Sequence, residues 1–152
     1  MALFTKPEAY QKQIIIYINE KDYQKAYELS KEFAERFKAD LIPHFLLAKS
    51  AFWMKNYGEA TIAARKAFNM AHNKDDIIMC AIILSTAYYL NGDNKNCREV
   101  LQAIKEDHNV DVQKLMLTYA LVANDPNAAA KHIDRLYKIN RRLAEDFMMK
   151  FF

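Results

Sequence analysis

The chain has 152 residues, with 22 lysines and arginines against 19 aspartates and glutamates, a balance that excludes a strongly basic nucleic-acid surface and an acidic tail. Hydrophobic residues make up 52% and charged residues 27%, enough apolar matter for the core of one domain and too little net charge for a disordered chain. Two glycines and three prolines are too few for the turns of a β-sandwich or barrel and leave no glycine-rich phosphate loop, so Rossmann and P-loop chemistry are set aside.

The opening stretch MALFTKPEAY lacks a basic segment followed by a long apolar run and lacks the glycine that myristoylation requires, so the mature protein is expected to begin here. Apolar residues at three- and four-residue steps then predict a first helix through Tyr10, Ile14 and Tyr17. A polar turn follows, and residues 21–37 predict a second, amphipathic helix. The same succession recurs. A helix with Leu47, Ala48 and Ala51 precedes a turn and residues 55–71; one with Ala81, Leu84 and Tyr88 precedes residues 91–107; one with Met116, Leu117 and Ala120 precedes residues 124–140. Taking Ala26, Ala60, Cys97 and Ala129 as equivalent gives intervals of 34, 37 and 32 residues. Each unit is thus a helical hairpin. Small residues recur where helices must approach closely, Ala48 and Ser85 on first helices and the four equivalent positions on second helices. The uncharged run Ile77 to Leu90 falls short of the roughly 18 to 20 residues that span hydrocarbon and predicts a buried helix instead.

This pattern resembles the tetratricopeptide repeat, a unit of roughly 34 residues. Asp22-Tyr23 with Ala26, and Asn56-Tyr57 with Ala60, carry the resemblance best, and Ala67-Phe68 fits the later small-large pair of the unit. The third unit has Cys97 for the alanine, the fourth has Pro126 in place of the tyrosine, and Pro43 alone stands near a junction between units. The expected fold is all-α, a right-handed solenoid of about four such hairpins (residues 7–40, 41–76, 77–108 and 109–140) closed by a capping helix over residues 141–152, in a single domain. A generic bundle of eight helices is the alternative.

The resemblance implies that first helices line a concave face. Its expected groove positions are Ile15 and Ile18; Phe45, Lys49, Phe52 and Trp53; Met79, Ile82, Thr86 and Tyr89; and Lys114, Thr118 and Leu121. That surface is apolar and aromatic, which suits either a peptide groove or ordinary core, since an aromatic stripe at helical spacing is often interior. The places where some members of the family grip a C-terminal carboxylate hold Gln11, Ile15, Leu46 and Met79, which argues against such a clamp. Beyond Tyr137, the residues Leu143, Phe147, Met148, Phe151 and Phe152 form an apolar stripe, either a cap on the last hairpin or a self-association surface.

Residue constellations for chemistry are wanting. His44, His72, His108 and His132 are scattered, without a metal-binding spacing, and no cofactor or metal is expected. His72 beside Asp75 and Asp76 reads as a solvated helix end, and Ser30, Ser50 and Ser85 lie within helices without a glycine-flanked turn. The basic group Arg135, Lys138, Arg141 and Arg142 is interleaved with Asp134, Glu145 and Asp146 and reads as a solvated face. Cys80 and Cys97 are too few for a disulfide framework and suit a reducing, cytoplasmic setting as small buried hydrophobes. The expectation is a non-enzymatic adaptor or chaperone-like module. It would bind an apolar or amphipathic peptide with Phe45, Phe52, Trp53 and Tyr89 as anchors, Lys49 and Lys114 orienting polar ends. Class II chaperones of type III secretion, themselves small tetratricopeptide proteins, are a narrower version of this reading. A self-assembling scaffold built through the C-terminal helix is the alternative; no nucleic acid or membrane span is expected among its partners.

Overall fold

A computed structural model describes residues 4–104 and 109–151, apart from the side chains of Val122, Phe147, Met148, Lys150 and Phe151. Every described element is helical: α1 (Pro7–Asn19), α2 (Tyr23–Arg36), α3 (Leu41–Trp53), α4 (Tyr57–Met70), α5 (Lys74–Leu90), α6 (Asn94–Ile104), α7 (Val110–Val122), α8 (Pro126–Ile139) and α9 (Arg141–Phe151).

The four hairpin turns are the same turn. At each, one residue takes a left-handed backbone: Lys21 (φ 61°), Lys55 (φ 63°), Gly92 (φ 81°) and Asn124 (φ 58°). The next residue, Asp22, Asn56, Asp93 or Asp125, donates its N–H to the carbonyl five residues back, at Tyr17, Ala51, Tyr88 and Ala120 respectively. This satisfies carbonyls that the ending helix leaves orphaned. The same Asp or Asn then caps the new helix, its side chain accepting from the N–H of Lys25, Glu59, Asn96 or Ala128. Chain reversal and helix start are therefore written in one dipeptide per hairpin.

Of the helices that follow an inter-hairpin loop, α5, α7 and α9 have side-chain caps of their own, whereas Asp40 before α3 makes none. Asn73 accepts from Asp76 N–H, Asn109 from Asp111 and Val112 N–H, and Asn140 from Leu143 N–H. Pro43, close to the junction between the first two hairpins, lies in the first turn of α3, where a missing N–H breaks no helical bond.

Residue contacts divide the chain into two units, one ending at Val100 and one beginning at Leu101. In the first, α1 packs on α2, α2 on α3, α3 on α4 and α4 on α5, and α1 touches α3 as α3 touches α5, so the first helices form a continuous row. The small residues sit where close approach was expected: Ala26, Ala48, Ala60 and Ser85 are all fully buried. Large side chains fill the space beside them. Tyr10 lies buried and stacked on Phe33, ring centroids 5.0 Å apart, and Arg36 donates to the Tyr10 hydroxyl at 2.9 Å and to the Phe4 carbonyl. Ser30 and Ser50 face each other at 3.3 Å, and Ser50 and Ser85 return their hydroxyls to the carbonyls of Leu46 and Ala81. Such inward hydroxyls let helices pack closely without an orphaned polar group.

In the second unit, α7 packs on α8 and α8 on α9. Leu117, Ala120, Ala129, Leu136 and Ala144 form its core, with Leu121, Ile133, Tyr137 and Leu143 packed around it. The expected capping role of the C-terminal helix thus has a basis in Leu143 and Ala144. The side chains of Phe147, Met148 and Phe151, and the whole of Phe152, the rest of the expected stripe, lie outside what the structure describes, whereas Met149 among them is 84% exposed.

Candidate functional site

The expected groove positions do not share one environment. Ile18 and Phe45 pack against the core of the first hairpin, beside Tyr10, Ile14, Leu29 and Phe33. Phe52 leans on the small-residue cluster of Ala51, Ala60 and Ala87, with Tyr27 beside it. Met79, Ile82, Thr86 and Tyr89 are all half-buried, because α5 has helices against it on more than one side and none of residues 77–89 is fully exposed. Lys49 is half-buried. In the second unit, Lys114 and Thr118 are half-buried and the Thr118 hydroxyl donates to the Lys114 carbonyl, while Leu121 lines an open apolar cleft of about 350 Å³ beside the α7–α8 turn.

Two expected positions stand out as accessible: Ile15 at 41% and Trp53 at 49% exposure. Trp53 is the last residue of α3, just before the left-handed turn at Lys55, and about half of it is open to solvent. It stacks on Tyr23, centroids 5.9 Å apart and planes within 14°, and meets Phe52 edge-on at 5.8 Å. Phe52 in turn meets Tyr57 at 5.7 Å. Tyr23 and Tyr57 are the first residues of α2 and α4. The aromatic shelf thus combines the end of a first helix with the starts of two second helices. The family resemblance singled out Phe52 and Trp53 but gave no part to Tyr23 and Tyr57, which the repeat pattern marked only as signature residues of the turn. Leu46, one of the places weighed for a carboxylate clamp, is buried core and does not face a groove.

Other ionisable groups are accounted for locally. The Tyr27 hydroxyl donates to a Glu59 carboxylate oxygen, a bond that, with burial, pushes its pKa up to about 12 and ties α2 to α4. Arg65 donates to the Tyr88 hydroxyl from both Nε and a terminal nitrogen, at 3.2 and 3.1 Å, joining α4 to α5. Burial, reinforced by Asp76 and Asp93 respectively, pushes the Cys80 and Cys97 thiols up to about 11, so both behave as apolar fillers. Hydrogen bonds from Asn96, its side chain first, hold the Asp93 carboxyl below its ordinary value. His44 shares a hydrogen bond of 2.8 Å with the Lys38 carbonyl, and His132 faces the Gln113 side-chain oxygen at 3.3 Å; His72 is exposed and His108 lies outside the described residues. No three His, Cys, Asp or Glu side chains converge to hold a metal ion, and no helix is long and apolar enough to cross a membrane, among the described residues.

No family model matches the chain, and no curated protein matches it by sequence. Among solved structures it is similar to the MamA RS-1 ArsTM double mutant, with a TM-score of 0.78 at 16% identity, over 91% of this chain and 77% of that one. At such identity the likeness speaks for the fold: an all-α solenoid of helical hairpins of tetratricopeptide-like form.

Proposed function

We propose that the chain is a non-catalytic protein-interaction module, adaptor or chaperone-like, that takes an apolar or amphipathic peptide against its first helices with Trp53 as principal anchor. The half-exposed Trp53 shelf is the observation that carries this reading, since partly exposed aromatics held rigid by stacked neighbours are the usual energetic centres of interfaces. Among the expected groove positions Ile15 is the other exposed apolar one, whereas Phe45 and Ile18 chiefly serve the core. The helical-hairpin fold, generally a protein-binding scaffold and not an enzyme, supports the reading at the level of class.

Trp53 is the only tryptophan of the chain, so its emission reports on the shelf directly. Amphipathic peptides selected from a display library for binding to the full chain are expected to shift that emission to the blue. Trp53→Ala is expected to weaken them about 30-fold, the loss of a hot-spot residue, while the melting temperature stays close to that of the parent. Unchanged affinity in Trp53→Ala, or selected peptides that leave the emission where it was, would sink the reading.

A further inference from the structure

A second open feature lies away from the Trp53 shelf. α2 and α4 both pack on α3 and leave between them an open cleft of about 400 Å³. Its apolar lining comes from Ala34, Leu47 and Met70, one residue from each helix. Around it stand Lys31 and, from the α2–α3 loop, Lys38, with Lys66 from α4; the one acidic side chain of the lining is Glu35. Lys38 and Lys66 are exposed and take part in no ion pair among the described residues, and Lys31 rests over the Tyr27 ring at 5.4 Å. This imbalance, three cations to one anion, is local: the chain as a whole carries only +3 over 152 residues. The loop that carries Lys38 is also pinned, since His44, nearly buried, shares the hydrogen bond with the Lys38 carbonyl at 2.8 Å. The cleft wall is therefore set before any ligand arrives, which lowers the ordering cost of binding.

We infer that this cleft binds an acidic peptide segment of a partner protein, one apolar side chain seated on Leu47 and Met70 and flanking carboxylates meeting Lys31, Lys38 and Lys66. The volume is enough for a single large side chain and the cleft is open to solvent, as a site for a residue within a longer chain must be. Charge complementarity selects the flanks, and the apolar floor selects a peptide over a bare anion. The site is separate from the Trp53 shelf and draws on different residues, so either stands if the other fails.

The probe is a capped pentapeptide with a central leucine between pairs of acidic residues, titrated into the full-length protein under low salt and followed by amide chemical shifts. Its control has the acids replaced by their amides. Saturable shifts confined to residues around Lys31, Lys38, His44 and Lys66, absent with the control and without change in Trp53 emission, are expected. Reversing Lys38→Glu with Lys66→Glu is expected to weaken binding at least about tenfold, whereas Lys12→Glu with Lys95→Glu, an equal change of net charge at exposed sites elsewhere, leaves it nearly unchanged. The inference is overturned if the shifts fail to saturate or lie elsewhere, if the amide control binds as well, or if both charge reversals act alike. It is equally overturned if inorganic phosphate alone reproduces the pattern, or if the same residues shift with the concentration of the protein itself, which would make the occupant a second copy.

Discussion

At the scale of single residues, the hairpin turns carry the most instructive compromise. A side chain with a Cβ in the left-handed region costs roughly 1 kcal/mol relative to glycine, yet two of the four turns place lysine there. Lys55→Gly is expected to raise stability by about 0.5–1 kcal/mol in urea denaturation, with no change in far-ultraviolet dichroism. Gly92→Ala is expected to lower it by about 1 kcal/mol, although a Cβ there meets nothing within 4 Å, because the strain is in the backbone and not in space. His132 supplies a pH dependence of known sign. Burial, then the charges of Arg135 and Lys131, hold its imidazole below the ordinary value. The unfolded chain therefore takes up this proton first, so the contribution is complete above the ordinary imidazole range and is lost as pH falls through it. Urea midpoints measured between about pH 7.5 and 5.5 are expected to fall on acidification, and His132→Asn to flatten part of that slope.

At the scale of elements, α5 and α9 show how one apolar pattern serves two ends. The apolar run of α5 invites a search for something to cover it, but along the helix only Leu90, at its C-terminal end, is an exposed large apolar residue. α9, in sequence either a cap or a self-association surface, has its Ala144 fully buried in the core of the second unit with Leu143 packed beside it. Truncation after Arg142 removes both and uncovers part of that core. The truncated chain is expected to lose about 2 kcal/mol of stability or more, read as an earlier thermal transition, and not merely to change its mass in solution. An unaltered melting curve would return α9 to the status of a free appendage.

Across the whole molecule, the fold was legible because it repeats: four polar turns at recognisable intervals, each followed by a small residue, define hairpins without any tertiary information. The left-handed positions were not legible, since lysine carries no signal for that conformation as glycine does at Gly92. The exposure of the surface was legible only in part. Helical periodicity picks out the side of α3 that bears Phe45, Phe52 and Trp53, but it cannot say that Phe45 is absorbed by the neighbouring hairpin while Trp53, at the helix end, stays open. The basic cleft escaped notice for a simpler reason. Lys31, Lys38 and Lys66 belong to different elements, and a charge cluster assembled from three places leaves no run in the sequence.

The shared turn has one further consequence, for how such a chain accommodates changes of length. Successive left-handed residues are 34, 37 and 32 positions apart, while the turn itself never varies by a residue. All the slack lies in the helix lengths, such as the 17 residues of α5 against 13 in α1 and α3, and in the loops that link one hairpin to the next. Changes of length are thus confined by geometry to the helices and to the inter-hairpin segments, such as residues 71–73, and the bend itself is the one part of the hairpin that tolerates none.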